Sequence, residues 1–290
     1  MNERDALQSI AAWLPAAGDD AAVVGENVLT TDMLHASTDF PAGVTRYTAG
    51  WRSVAASLSD VAAMGAQAVA SVAVYGAPAF DETELSDFVA GARNACEAVG
   101  AAYVGGDLDT HEEFTVSTTV LGRVDEPVFR SGASPGDRLY TTGTLGRSAV
   151  ALRLFEAGDP ERANDLFRFT PRVEAGTALR PHASAMMDIS DGLARSVHQL
   201  ADASDCGFDV ESPLPIDDRL GEVIDDAAEA REQGITFGED FELLVTVPES
   251  ATAAVESASL PTALTPIGRA VGEGITLDGD ALGDRGYTHG

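Results

Sequence analysis

The chain has 290 residues, 44% of them hydrophobic, and a formal net charge of −29 from 18 basic and 47 acidic side chains. That much apolar material is enough for a real core and argues against disorder. The charge argues against a nucleic-acid partner, whose phosphates reward clustered basic groups, and no apolar run is long enough to span a membrane.

In chain order, Leu7, Ile10, Trp13 and Leu14 predict a short amphipathic helix. Residues 22–34 read as a strand that carries Thr30-Thr31-Asp32. Residues 47–64 read as a long Ala-rich helix with Ser59-Asp60 near its end and Gly65 as its stop. A small-residue strand is expected over 68–75 and a helix over 81–99, ended by Gly100. A short strand over 101–104 runs into Gly105-Gly106-Asp107, and alternation predicts another over 114–124. Arg130 to Asp137 is a loop by every local signal, and the domain boundary is placed there, giving segments 1–132 and 133–290. Beyond it come a strand over 138–142, a turn at 143–146, helices from about Ser148 to about 180, a strand into Asp188 and a helix over 191–204. A strand over 241–247, a helix over 249–257 and short strands near 264–269 and 275–278 complete the reading.

All 18 basic residues are arginine. Without lysine there is neither a Gly-x-x-x-x-Gly-Lys phosphate loop nor a catalytic lysine. Most of the acids read as a surface that stays soluble where salt screens its self-repulsion, which points to the cytoplasm of a halophile. The start, Met1-Asn2-Glu3-Arg4-Asp5, is too acidic for a signal peptide. Cys96 and Cys206 make neither a zinc pattern nor a redox pair, and the histidines lack metal-site spacing.

A second population of acids sits beside Gly, Ser or Thr: Gly18-Asp19-Asp20, Thr30-Thr31-Asp32, Ser59-Asp60, Gly105-Gly106-Asp107, Asp188-Ile189-Ser190-Asp191-Gly192 and Gly238-Glu239-Asp240. Each has an ordinary reading as a turn, a helix cap or a solvated face. Asp60 stands between Leu58 and Val61, so if buried it must be paired, hydrogen-bonded or metal-bound. Asp188 to Gly192 lies at a strand-to-helix junction, where free N–H groups attract anions. Two aspartates there repel a phosphate unless a cation neutralises them. If the chain handles nucleotides, Mg²⁺ held by carboxylates must supply the positive charge.

Taken together, the order and spacing of these motifs resemble the thiamine-monophosphate kinase family, in the superfamily of aminoimidazole ribonucleotide synthetase and selenophosphate synthetase. Leu-Ser-Asp-Val-Ala-Ala-Met-Gly-Ala at 58–66, Arg-Ser-Gly-Ala-Ser-Pro-Gly-Asp at 130–137, Met-Asp-Ile-Ser-Asp-Gly-Leu at 187–193, Gly-Glu-Asp-Phe-Glu-Leu at 238–243 and Gly-Tyr-Thr-His-Gly at 286–290 extend the match over nearly the full length. The resemblance implies an α+β, two-domain fold: an N-terminal α+β domain that dimerises through its sheet and a C-terminal α/β domain. It implies the reaction of ATP with thiamine monophosphate to give thiamine diphosphate and ADP, with several Mg²⁺ ions. It also implies Asp20, Thr30, Thr31, Asp32, Asp60, Asp107, Asp188 and Asp191 as Mg²⁺ ligands, and Gly106, Asp107, Arg130 and Ser190 at the nucleotide. Asp39, Glu239 and Tyr287 are expected at thiamine monophosphate, with Asp60, Asp107, Asp191 and Arg130 as the catalytic groups. The chain departs from the family where Leu108 follows Asp107, where Asp39-Phe40 replaces a common His-Phe pair, and where Phe237 precedes Gly-Glu-Asp. An aminoimidazole ribonucleotide synthetase-like enzyme and a non-catalytic Mg-nucleotide sensor are the alternative readings.

Screening of a net charge of −29 is expected to raise the unfolding temperature between about 0.1 M and about 2 M KCl. A thermal melt that does not move with salt would remove the solvation reading of the acidic surface.

Overall fold

The computed structural model describes residues 10, 13, 14 and 17–287. Leu7 of the expected opening helix lies outside the described residues. Within them, the Leu14 N–H donates to the Ile10 carbonyl (2.9 Å), and Ile10, Trp13 and Leu14 are exposed. No helix among the described residues is long and apolar enough to cross a membrane.

The N-terminal half runs β1 (Ala22–Val24), β2 (Asn27–His35), α1 (Arg46–Ala63), β3 (Gln67–Ala77), α2 (Glu82–Glu97), β4 (Ala102–Thr110) and β5 (Thr115–Arg123). Its five-stranded sheet has the order β1-β2-β5-β3-β4, with only β3 and β4 parallel, across the α2 crossover. The single strand expected over 22–34 is a hairpin. Gly25, at φ 63°, takes the left-handed conformation that lets Val24 pair with Asn27. The strand expected to stop at 104 runs through Gly105-Gly106-Asp107 to Thr110, because β3 goes on pairing with it as far as Ala77. Two adjacent glycines hide an extended segment from propensity, since they carry no side chain to alternate.

Helices α1 and α2 cover one face of this sheet. Thr45 caps α1, its side chain accepting from the Thr48 N–H. The helices cross at near backbone contact: a Cβ on Gly50 would stand 2.1 Å from the Phe88 carbonyl oxygen, and one on Gly91 1.9 Å from that of Tyr47. The opposite sheet face is left apolar and open, with Leu29, Met33, Val72, Val74 and Leu121 exposed.

The C-terminal half runs β6 (Arg138–Thr142), α3 (Arg147–Glu156), α4 (Pro160–Phe167), α5 (Val173–Leu179), β7 (Ala185–Ile189), α6 (Leu193–Ser204) and β8 (Gly207–Val210). It continues with α7 (Leu220–Val223), α8 (Ala227–Thr236), β9 (Glu242–Val247), α9 (Thr252–Glu256), β10 (Leu264–Val271), β11 (Ile275–Leu277) and β12 (Asp280–Ala281). The seven-stranded sheet has the order β12-β11-β8-β10-β6-β9-β7. Strand β8 and helices α7 and α8 have no counterpart in the sequence reading. They are short, and α7 and α8 follow the acidic, turn-like stretch Ser212 to Asp218, which masks their periodicity.

Helix α1 belongs to both halves. It packs on the N-terminal sheet, and on its other side Gly176 of α5 sits so close that a Cβ would stand 2.1 Å from the Ala62 carbonyl oxygen. The main core accordingly joins Val54, Leu58 and Val61 of α1 to Leu243 and Val245 of β9.

Gly91→Ala forces apart two helices that touch through their backbones, and the overpacking is expected to cost about 1–3 kcal/mol. Chemical denaturation at constant high salt measures it. Wild-type stability in that variant would show that the crossing tolerates separation.

Candidate functional site

The site lies where α1 meets the end of β7. Asp60 sits one turn before the end of α1, Asp188 is the fourth residue of β7, and Asp20 is in the bend before β1. Each offers an oxygen, and the three oxygens lie within 4.8 Å of one another. Asp188 is buried, and the Asp20 side chain is only 3% exposed.

Hydroxyl groups fix the orientation of this cluster. The Thr30 hydroxyl donates to Asp60 (2.5 Å), Ser59 to Asp188 (2.7 Å) and Ser57 to Asp32 (3.0 Å). Strand pleating explains the division of labour in Thr30-Thr31-Asp32. Side chains alternate between faces, so Thr30 and Asp32 point to α1. Thr31 points to the outer face, where its hydroxyl donates to the Thr118 carbonyl (2.8 Å) and accepts from Thr119 (3.3 Å). The Thr31 side chain is therefore held away from the cluster it was expected to join.

Burial and mutual repulsion make the cluster hungry for positive charge. Burial, and then the neighbouring carboxylates of Asp32, Asp188 and Asp20, push the Asp60 carboxyl well above the usual carboxylate range. Burial, and then Asp20, raise Asp188 to about 8. Asp19 rises to about 7, first through burial and then through Asp20. Among the described residues, Arg130 is the one guanidinium paired with this group. Its Nη2 donates to Asp20 (2.9 Å), its Nε lies 3.7 Å from Asp19, and its backbone N–H donates to the Asp19 carboxylate (3.1 Å). One Asp20 oxygen, Oδ2, is buried without a hydrogen-bond partner. Hard oxygen donors, an excess of negative charge and an orphaned buried carboxylate oxygen together fit Mg²⁺.

The turn after β7 completes this wall. The Ser190 carbonyl accepts from the Glu239 N–H (2.6 Å), and the Asp191 carbonyl accepts from the Tyr287 N–H (3.2 Å). Gly238 is obligatory here: its φ is 84°, and a Cβ would lie 2.5 Å from the Ser190 carbonyl oxygen. The expected substrate residues Glu239 and Tyr287 are thus tethered to the segment that carries Ser190 and Asp191. Residues 288–290 of the Gly-Tyr-Thr-His-Gly match lie outside the described residues.

Other expected residues stand apart or are already engaged. Glu239 forms an ion pair with Arg52, a buried arginine of α1. Asp39 closes a local turn, accepting from the His35 N–H (2.7 Å) and the Thr38 hydroxyl (2.7 Å). Gly106 and Asp107 are on the edge strand β4. The register Asp32–Thr118–Ala73–Gly106 puts Gly106 three strand spacings, about 14 Å, from Asp32. An apolar cavity of about 550 Å³ opens there, lined by Ala73, Tyr75, Phe88, Tyr103, Gly106 and Leu108 among others.

Asp19 and Ser59 stand inside the acidic motifs but have no role of their own in the sequence reading, which names neither Ser57 nor Arg52. Asp19 and Asp20 on one extended segment should face opposite ways, but the segment is a bend and both reach Arg130. Ser57 and Ser59 carried a readable signal, since two hydroxyls within one turn of Asp60 can orient acids on either side of the helix. Arg52 had none, because its partner is nearly two hundred residues away in sequence.

Two domain families match the chain: AIR synthase related protein, N-terminal domain, over residues 18–124, and AIR synthase related protein, C-terminal domain, over 134–279. The thiamine-monophosphate kinase of Halobacterium salinarum is 60% identical over 292 aligned residues, covering 100% of each chain. That of Methanospirillum hungatei is 42% identical, covering 100% of this chain and 99% of its own. The solved structure of AaThiL complexed with AMPPCP and TMP superimposes with a TM-score of 0.90 at 28% identity, covering 99% of this chain and 97% of that one.

Asp188 has its folded pKa raised from 3.8 to about 8, so the folded state keeps a proton that the unfolded chain releases. The associated stability is full below the unfolded value and is lost as pH rises towards the folded one. Without divalent cations and at constant high salt, the unfolding temperature is expected to fall between about pH 6 and about pH 8.5. Added Mg²⁺ should raise it, and more at the higher pH, because the cation takes ionised carboxylates. An Mg²⁺ increment independent of pH would separate these carboxylates from metal binding.

Proposed function

Because the chain belongs to the thiamine-monophosphate kinase family of AIR synthase related proteins, we propose that it transfers the γ-phosphoryl group of ATP to thiamine monophosphate, giving thiamine diphosphate and ADP. The observation that carries this reading is the carboxylate cluster of Asp20, Asp60 and Asp188, built where the two halves meet. Mg²⁺ held there supplies the positive charge that lets two polyanions approach and steadies the charge that develops during transfer.

The residues divide the remaining work. Asp20, Asp60 and Asp188 would hold Mg²⁺, with Asp32 and Asp191 as further ligands. Thr30 and Ser59 fix the carboxylate orientations. Ser190 and the first turn of α6 face the nucleotide phosphates, where helix N–H groups favour anions. Arg130, beside Asp19 and Asp20, is the guanidinium that would steady the transferring group. The acceptor phosphate has a second pKa of about 6, so it is largely ionised at neutral pH and needs no general base. Its oxygen forms a bond to the γ-phosphorus as the bond to the β–γ bridging oxygen breaks, and ADP leaves with that electron pair. Alignment and charge relief then provide the catalysis. Glu239 and the Tyr287 ring receive the cationic thiazolium, and Asp39, which closes the turn after His35, is the third acceptor residue. The cavity beside Gly106 takes the flat base of ATP.

The working unit we propose is a homodimer in a salt-rich cytoplasm. Two observations support the dimer. The outer face of the N-terminal sheet exposes Leu29, Met33, Val72, Val74 and Val104, an apolar surface of the kind that marks an interface. In addition, Asp107 lies on an edge strand across the sheet from the cluster, so a second copy is the route by which it joins the metal site.

Incubation with ATP, Mg²⁺ and thiamine monophosphate in molar KCl, with products identified by mass, tests the reaction. ADP and thiamine diphosphate are expected in equal amounts. Asp60→Asn should lower kcat about 100-fold or more while the fold, followed by circular dichroism, is kept. If folded protein binds MgATP yet transfers nothing to thiamine monophosphate, the acceptor assignment fails and aminoimidazole-type acceptors become the candidates.

A further inference from the structure

The turn Gly238–Phe241 is held in a conformation that its sequence does not favour. Glu239 (φ 61°) and Phe241 (φ 53°) both occupy the left-handed region, which costs a side chain about 1–2 kcal/mol at each position. Such a geometry persists only where the surroundings over-determine it. Here they do. The Ser148 hydroxyl donates to the Glu239 carbonyl, and Arg147 Nη2 donates to the Asp240 carbonyl (3.0 Å). The Asp240 carboxylate accepts from the Gly146 and Ser148 N–H groups, and the Phe241 ring stacks on Phe169 at 4.4 Å.

One contact comes from the other half of the molecule. Arg52, in the middle of α1, is 1% exposed. Its Nη1 donates to the Phe167 carbonyl (2.8 Å), and its Nη2 donates to the Glu239 carbonyl (3.2 Å) and forms an ion pair with the Glu239 carboxylate. Its guanidinium lies 3.6 Å over the Phe167 ring and near Phe169 and Phe241. A charge this deeply buried is tolerable only with such partners. The Glu239 side chain remains 29% exposed. Arg52 therefore fixes one oxygen of Glu239 from beneath and leaves the carboxylate open on its solvent side. Asp60 lies eight residues further along the same helix, about 12 Å away. A single rigid element thus carries a metal-cluster carboxylate and the arginine that holds the acceptor turn.

We propose that Arg52 is a positioning residue for acceptor recognition: from the N-terminal half it holds the Gly238–Phe241 turn, and with it the Glu239 carboxylate, in the geometry that receives the cationic ring of the acceptor. This rests on the assignment of Glu239 to the acceptor pocket. Arg52 is 1% exposed, so it acts through Glu239 and not on a substrate directly.

The test is steady-state kinetics at molar KCl for Arg52→Met, Arg52→Lys, Glu239→Gln and the double variant Arg52→Met/Glu239→Gln, with KM measured separately for thiamine monophosphate and for ATP. Arg52→Met keeps the buried stem and removes the donors. It is expected to raise KM for thiamine monophosphate about tenfold, the loss expected of one charge-assisted hydrogen bond, and to leave KM for ATP nearly unchanged. Arg52→Lys should recover much of the loss. In the double variant the effects should be strongly non-additive, because Arg52 acts through Glu239. If Arg52→Met does not fold, the comparison of Arg52→Lys with Glu239→Gln carries the test, both being expected to raise KM for the acceptor alone. Equal losses for both substrates, or additive losses in the double variant, overturn the proposal while leaving the acceptor assignment standing. An unchanged KM for thiamine monophosphate in Glu239→Gln overturns the assignment and the proposal together.

Discussion

Asp20, Asp60 and Asp188 bring oxygens within 4.8 Å of one another in a largely buried setting, and the rest of the molecule is arranged around that repulsion. Like charges at this range cannot all remain ionised in a protein interior. Protons, a guanidinium or a divalent cation must intervene. Arg130 supplies one positive charge to Asp19 and Asp20, and the hydroxyls of Thr30 and Ser59 steady the remainder. The arrangement resembles an ordinary acidic patch only in composition. Its hydrogen-bonded, inward-facing geometry sets it apart from the solvated acids that dominate the surface.

A site assembled from a loop, a strand and a helix of one half, and a strand end of the other, needs a rigid joint. Helix α1 is that joint. It is built of small residues, so α2, the N-terminal sheet and α5 approach it closely, and the Gly91 and Gly176 contacts leave no room for a methyl group. The same helix presents Ser59 and Asp60 to Asp188, and Arg52 to the Gly238–Phe241 turn. The relative placement of the carboxylate cluster and the Gly238–Phe241 turn is thereby fixed by one element, as a transfer that relies on alignment would require.

Much of this was legible in the sequence, for identifiable reasons. The long helix, its Gly65 stop and the strand-to-helix junction at Asp188 carry strong local signals, and the order of the acidic motifs named Asp20, Asp60 and Asp188, which the fold brings into one cluster. The hairpin at Gly25, the extension of β4 through Gly105-Gly106 and the elements between 207 and 236 were not legible, since glycine pairs and short acidic stretches lack periodicity. Within the site, no local pattern says which way Thr31 faces or what engages Asp39. Strand pleating turns Thr31 outward, and a five-residue turn engages the Asp39 carboxylate. The contact of Arg52 with Glu239 is long-range, and no local pattern announces it either.

Whether the inter-domain carboxylates hold a divalent cation can be seen directly. Crystals grown with Mn²⁺ in place of Mg²⁺ and a non-hydrolysable ATP analogue would locate it by anomalous scattering. A peak is expected about 2.1 Å from carboxylate oxygens of Asp60 and Asp188. Peaks confined to the surface acids, with Asp20, Asp60 and Asp188 uncoordinated beside the bound nucleotide, would contradict that expectation.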